Sequence, residues 1–373
     1  MSTTTQNFTM LSLRTCTGRV FRMTATTSNA KVAVIALTVH GATLARRLSQ
    51  ALTSQLVLPA RFAQPGEQSF EKGMFIATCQ QLFRDVDCVI CVMATGIVVR
   101  TIAPLITDKT VDPAVLVIDE QGHHVISLLS GHVGGANAWT TQVATILDSD
   151  PVITTATDTE NVQALDTLAQ RVNGWYPEFK RNTKRFNGLL AAGKPVAIYV
   201  DPVFRPQLTD LRGWTVVERV ADAPAEAPLV IVSDRTDFEK RADTLPVIPR
   251  LNALGIGCRR DVTTQMMQDT FTKFCAAHHL AWRSIAQLGS IDVKQHEAAI
   301  QMLSATLNVP VKFFTADTLR PASAHYPESA FVAKTVGVGN VAAASAEVLT
   351  GQLAVTDRFA QNDITMVLGR QLN

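Results

Sequence analysis

VDCVICVMATGIVVRTIAPLITDKTVDPAVLVIDEQG, residues 86–122, sets two short apolar runs on either side of a helix-like segment. In VDCVICVMA and AVLVIDEQG the apolar residues are consecutive rather than alternating, which is the pattern of strands buried on both faces in a parallel sheet. TGIVVRTIAPLI between them carries its apolar residues at helical spacing. Strand, helix, strand in that order predicts a βαβ unit, whose crossover makes the two strands parallel.

The rhythm continues outward. Upstream, KVAVIALTV reads as a strand, GATLARRLSQAL as a helix, SQLVLP as a short strand and FEKGMFIATCQQLFRD as a helix; downstream come HHVISLLS, a helix after GHVGGAN, and PVITTA. Residues 31–158 are therefore expected to form an N-terminal α/β domain with a doubly wound, mostly parallel sheet. In residues 159–245 the pattern loosens to helices at VQALDTLAQR and TKRFNGLLAAG and strands at PVAIYV and APLVIVS, a small α/β middle region. Residues 246–373 open with a strand and a glycine turn in PVIPRLNALGIGCRR, continue with a helix at VTTQMMQDTFTKFCAAH and close on DITMVLG, a second α/β domain at the C-terminal end. Residues 1–30 are Ser/Thr-rich, carry Arg14, Arg19 and Arg22 and no acidic residue, and read as a disordered or leader-like tail, or as sequence upstream of a start at Met10 or Met23.

Composition narrows the function classes. With 47% hydrophobic and 18% charged residues the chain is globular, and 34 basic against 32 acidic residues leave +2, too balanced for nucleic acid or an anionic membrane as partner. The most apolar stretch, residues 86–99, is broken by Asp87, Thr95 and Gly96 and is shorter than the roughly 20 residues of a membrane span. Six scattered cysteines and no secretory signal favour reduced thiols in the cytoplasm. Cys88 and Cys91 form a C-x-x-C, but inside a strand their side chains fall on opposite faces. The adjacent pairs His123-His124 and His278-His279 diverge for the same geometric reason, so no protein-bound metal is expected.

Gly337, Gly339 and Ala342 match G-x-G-x-x-A, with Asp357 further on. The dinucleotide fingerprint belongs at the start of a βαβ unit, so this late copy reads as a tight strand-to-helix turn. Ligands of open parallel sheets sit beyond the carboxyl ends of the strands. Thr95 and Gly96, Asp119, the SGHVGG loop and Asp158 all follow expected strands, and one shared rim is predicted for them. His132 is suited to general acid–base chemistry near neutral pH. Around it Gly131, Gly134 and Gly135 bare the backbone for an oxyanion or carboxylate, with Ser130 and Asn137 at the loop's ends. Arg100, Lys109, Arg259 and Arg260 are candidate anchors for carboxylates, although Lys109 and Asp112 also read as a surface ion pair and the two later arginines as a solvated helix start. Cys258 has no visible base to make it a nucleophile.

ATGIVVRTIAPLITDKTVDPAVLVIDEQG, ISLLSGHVGGAN and PVITTATD closely resemble the N-terminal domain of the cobalt-precorrin-5A hydrolase family of anaerobic cobalamin synthesis, and GIGCRR, SIDVKQHE and VGVGNVAAASAE resemble that family's C-terminal domain. The resemblance implies hydrolysis of a δ-lactone on a cobalt corrinoid, loss of acetaldehyde and formation of cobalt-precorrin-5B, with cobalt carried by the substrate and no cofactor of the protein's own. It also implies a corrinoid as the small-molecule partner; neighbouring enzymes of that pathway and a second copy of the chain are further candidate partners. On that chemistry His132 is the expected base, the amides of Gly134 and Gly135 the oxyanion donors, and Asp158 or Asp119 the group that orients His132. Ala343 stands where members of the family often carry an acidic residue. A non-catalytic corrinoid carrier is the competing function class.

Overall fold

The computed structural model describes residues 30–108, 111–132, 134–239 and 241–372. The leader-like segment, but for Ala30, and the candidate anchor Lys109 lie outside the described residues. The chain divides into two compact units between Val152 and Ile153.

In the first unit the elements run β1 (Val32–Ala36), α1 (Val39–Leu52), β2 (Gln55–Pro59), β3 (Gln68–Phe70), α2 (Phe75–Asp85), β4 (Cys88–Val92), α3 (Thr95–Ile102), β5 (Ala114–Ile118), β6 (His124–Leu129), α4 (Ala136–Leu147) and β7 (Asp150–Val152). The seven strands form one sheet in the order β3-β2-β1-β4-β5-β6-β7. β1, β4 and β5 are buried along their whole length, which is why their sequences are unbroken apolar runs. Their alternate residues serve two cores. Val32, Val34, Cys88, Ile90 and Leu116 pack under α1 and α4, whereas Ala33, Ile35, Val89, Cys91 and Val115 pack under α2 and α3. The sheet is thus doubly wound, and Cys88 and Cys91 face opposite layers.

One pairing differs from the parallel rhythm. β6 runs antiparallel to β5, with Val115 opposite Leu129 and Ile118 opposite Val125, and β7 then runs parallel to β6. The connection from Ile118 to His124 is too short for a crossover, so the chain turns straight back as a hairpin.

The second unit begins with α5 (Ala156–Thr159), α6 (Leu165–Arg171), α7 (Phe179–Ala191), β8 (Ala197–Val200), β9 (Thr215–Val217), β10 (Leu229–Val232) and β11 (Thr244–Val247). β8 to β11 form a parallel sheet in the order β11-β10-β8-β9 around a core that includes Phe186, Phe204 and Trp214. Then follow β12 (Asn252–Cys258), α8 (Thr264–Ala277), β13 (Ile285–Ile291), α9 (Ala298–Leu307), β14 (Val311–Phe314), α10 (Ala316–Ser323), α11 (Ala330–Val336), α12 (Ala342–Thr350), β15 (Phe359–Gln361) and β16 (Ile364–Arg370). This third sheet has the order β14-β13-β12-β16-β15, with β16 antiparallel to both neighbours.

Gly255 and Gly257 lie within β12 and do not form a turn. A Cβ at Gly255 would stand 1.9 Å from the Ala342 carbonyl oxygen, one at Gly289 2.7 Å from Leu349 Cδ1, and one at Gly369 2.8 Å from the Ala346 carbonyl oxygen. Three bare positions on three strands thus let α12, with its run of alanines, lie directly on the sheet. The G-x-G-x-x-A segment differs from its sequence reading as well. FVAKTV is α11, capped by Ser329, and Gly337 at φ 78° ends it in a left-handed C-cap.

Candidate functional site

β6 delivers the SGHVGG loop to the amino end of α4. Ser130 adopts φ 59° and Gly135 φ 82°. The loop folds on its own backbone, with Gly135 N–H donating to the His132 carbonyl at 3.0 Å, Ala136 N–H to Ser130 at 3.1 Å and Asn137 N–H to Gly131 at 3.0 Å. Asn137 Oδ1 accepts from Ser127 Oγ at 2.7 Å, and a Cβ at Gly131 would come within 2.8 Å of that same oxygen. At Gly134 a Cβ would lie 2.4 Å from Ser130 Cβ. All three glycines are therefore demanded by the turn itself, and His132 rides on it half-exposed. The Gly135 amide is already spent on His132, so of the two expected oxyanion donors only Gly134 N–H carries no hydrogen bond among the described residues.

The predicted single rim is two edges of the sheet. Thr95, Gly96 and Arg100 stand at the carboxyl end of β4, where the Arg100 guanidinium folds back to within 3.3 Å of where a Gly96 Cβ would be. Asp119 ends β5 on that edge. Its carboxylate accepts from the amides of Gln121 at 2.9 Å, His123 at 3.3 Å and His124 at 2.7 Å. Burial works to raise this carboxyl, but those three hydrogen bonds and the neighbouring His123 hold it below the usual range. Because β6 runs the other way, His132 lies at the opposite edge, beside the start of β5, where Gly134 comes within 3.4 Å of the Ala114 nitrogen measured from its would-be Cβ. Asp119 is thus a turn-former far from His132. Asp112, on the His132 edge, accepts from Thr107 N and Oγ1. Asp158 sits in α5 of the second unit.

The second unit holds an open cleft of about 1570 Å³ at the carboxyl ends of β12 and β13. Ordinary small-molecule pockets occupy roughly 300–1,000 Å³. Arg259, Arg260, Lys294 and Arg358 line it together with His296. Its lips are apolar, with Val293 67% and Phe331 61% exposed. The Arg259 guanidinium lies 5.2 Å over the Phe331 ring and 3.3 Å from Asp363 Oδ1, while Arg260 is exposed and has no carboxylate partner among the described residues. Lys294 Nζ and Glu297 Oε2 pair at 2.8 Å, both largely buried. Burial pushes the Cys258 thiol up to about 11, with Lys294 opposing and Glu297 adding to the shift, so at neutral pH it is a thiol and a poor nucleophile.

Beside the cleft, Glu347 accepts from Tyr326 OH at 2.6 Å and bonds His325 Nδ1 at 2.7 Å, and Tyr326 OH accepts from Ala354 N–H at 2.9 Å. Burial and the Glu347 bond push the Tyr326 hydroxyl up to about 12. Ala343, buried at the foot of α12, donates its N–H to Asn340 Oδ1 at 2.9 Å. Sequence reading found Arg259 and Arg260 but gave no role to Lys294, His296 or Glu297, although SIDVKQHE was on view. Tyr326 and Glu347 meet only through the fold. Among the described residues no group of three or more His, Cys, Asp or Glu side chains converges as a metal site, and no helix is long and apolar enough to cross a membrane.

Three family models match the chain: "Cobalamin synthesis G N-terminal" over residues 77–158, "Cobalamin biosynthesis central region" over 163–249 and "Cobalamin synthesis G C-terminus" over 252–369. The cobalt-precorrin-5A hydrolase of Salmonella typhimurium is 37% identical over 345 residues, 91% of this chain and 97% of that one. That of Priestia megaterium is 28% identical over 340 residues, 87% of this chain and 90% of that one. Among solved structures, a cobalamin biosynthesis protein G homolog from Sulfolobus solfataricus is 20% identical with a TM-score of 0.35, covering 91% of this chain and 96% of its own. Likeness along nearly the whole length, in the order of the family's three parts, shows that the chain belongs to the cobalt-precorrin-5A hydrolase family of cobalamin biosynthesis.

Proposed function

We propose that this protein hydrolyses the δ-lactone of cobalt-precorrin-5A, releasing acetaldehyde and leaving cobalt-precorrin-5B. The observation that carries the reading is the 37% identity over 91% of the chain to a relative of that name. The cleft of the second unit supports it. A tetrapyrrole is a broad apolar plate edged with carboxylates, and this cleft has the volume, the apolar lips and the Arg259, Arg260 and Lys294 cations for such a guest. Cobalt enters as part of the substrate, and the reading calls for no cofactor of the protein's own.

The reaction needs water to lose a proton as its oxygen bonds the lactone carbonyl. The acyl C–O bond then breaks to an alkoxide, which collapses to acetaldehyde as its C–C bond sends an electron pair into the macrocycle, where a proton is taken up. One residue that accepts and returns a proton serves these steps. His132 is our candidate for it, with Gly134 N–H as the remaining oxyanion donor of its turn. Thr95, Gly96 and Arg100 stand on the other edge of the first sheet and take no part in this step. A cytoplasmic setting beside neighbouring enzymes of the pathway belongs to the same proposal.

The test is anaerobic incubation of the protein with cobalt-precorrin-5A and trapping of acetaldehyde. Release by the parent is expected, a fall of about 10²-fold or more in His132→Ala, and a raised KM in the Arg259→Ala, Arg260→Ala double variant. Tight binding without release would make the protein a corrinoid carrier instead. Unchanged turnover in His132→Ala would remove that residue from the mechanism and leave the activity standing.

A further inference from the structure

At the amino ends of β12 and β13, the edge of the third sheet away from the cleft, the parallel register that sets Asn252 opposite Ile285 brings the segments carrying Arg250 and Arg283 side by side. Both arginines are half-buried. Burial pulls the Arg250 guanidinium down from its ordinary value, and burial together with the Arg250 charge does the same to Arg283. Among the described residues no acidic side chain contributes to either. Neither guanidinium forms an ion pair or a side-chain hydrogen bond among the described residues. Half-buried like charges without a counter-charge cost free energy, and folded proteins rarely leave guanidinium N–H groups idle in such a place.

The surroundings hold the two forks in position. The Arg283 guanidinium lies 4.0 Å from the Trp175 ring centroid and 4.3 Å from that of Trp282. Two indoles at that range hold the group by cation–π attraction, which uses none of its N–H hydrogen bonds. Trp175 is fixed by paired backbone bonds with Ile248, at 2.8 and 2.7 Å, and the Arg250 carbonyl accepts from Asn173 Nδ2 at 3.1 Å. Trp282 and Arg283 sit in one tight 3₁₀ turn. Three separate segments thus bring a rigid, cationic, aromatic-walled fork to one spot.

We propose that Arg250 and Arg283, walled by Trp175 and Trp282, form a binding site for a carboxylate or phosphate oxyanion, distinct from the cleft. Planar oxyanions are what a guanidinium edge matches in pairs of parallel hydrogen bonds, and a bound anion would neutralise the repulsion between the two arginines. The site does not depend on the corrinoid reading, since it would take a free anion as readily as the carboxylate of a larger ligand.

Calorimetric titration of the full chain with inorganic phosphate, with acetate and with chloride at matched ionic strength tests this, with tryptophan fluorescence as a second readout. Saturable binding of phosphate or acetate, absent with chloride, is expected, and whichever saturates first identifies the preferred class. Affinity should fall at least about tenfold in Arg283→Gln and in Arg250→Gln, since a hydrogen bond to a charged group is worth about that factor or more. Two variants are used so that a folding defect in one leaves the other informative. Equal responses to all three anions, or variants that bind as the parent does, would overturn the site.

Discussion

A Cβ at Gly255 would meet three backbone atoms, the Ala342 carbonyl oxygen at 1.9 Å, its carbon at 2.9 Å and the Ala346 nitrogen at 2.9 Å, and none can swing aside. Gly255→Ala is therefore expected to destabilise the second unit by about 1–3 kcal/mol or more, the usual cost of overpacking. Gly188, inside α7 with nothing within 4 Å of its would-be Cβ, is the control. Gly188→Ala should stabilise by about 1 kcal/mol through helix propensity alone. Urea midpoints that moved the same way for both would refute this account of α12 seating. Arg259 and Arg260 stood out in GIGCRR as two cations after a strand, but its glycines read as a turn, because the helix that requires them comes far later in the chain. Cys258, next along, gives a pH prediction. With its thiol pushed up to about 11, thiolate and hence alkylation rate should climb about tenfold per pH unit from neutral to near pH 11. Iodoacetamide labelling of the parent against Cys258→Ser would show it, and a plateau near pH 8.5 would contradict the burial argument.

Between residues and the sheet stand the caps and turns. α1 starts at Thr38, whose Oγ1 accepts from Gly41 N–H at 3.1 Å. Thr38→Ala should cost about 1 kcal/mol, read as a lower thermal midpoint of the first unit, while Thr38→Ser should cost little. A neutral Thr38→Ala would mean that tertiary packing of Ala42, Ala45 and Leu48 alone holds that helix end. Elements of this kind were legible from their periodicity, and so was the doubly wound sheet. The direction of β6 was not taken from periodicity, because HVISLL carries the same apolar run whichever way it points. The available signal was the connection: the few residues from Ile118 to His124 cannot hold a crossover helix, so a hairpin was the sole outcome. Missing that sign put His132 and Asp119 on one rim, when they stand on opposite edges. The glycines of SGHVGG drew attention to His132 for a reason that proves local: each one answers a steric demand of the turn.

Across the whole molecule the question is what fuses elements that sequence punctuation separates. The stretch around Pro246 and Pro249 marks a change of sheet, yet the parallel four-stranded sheet and the mixed five-stranded sheet pack as one compact unit. A buried polar knot joins them. Asp234, 2% exposed, accepts from Arg370 Nη2 at 2.6 Å and Asn252 Nδ2 at 2.7 Å; Arg370 Nε donates to Asn252 Oδ1 at 3.1 Å, and Asn252 also reaches Ser284 Oγ at 3.0 Å. Asp234 follows β10 and Arg370 ends β16, so no window of sequence contains both. Breaking a buried pair from one side strands the other charge, which costs about 3–5 kcal/mol, whereas replacing both partners with apolar groups is often neutral. Asp234→Ala should therefore lower the denaturant midpoint of the second unit sharply, and Asp234→Leu with Arg370→Met should recover much of the loss. A double-mutant cycle in urea measures the coupling. If the single and double variants lost stability additively, the knot would contribute nothing as a pair, and the union of the two sheets would rest on apolar packing alone.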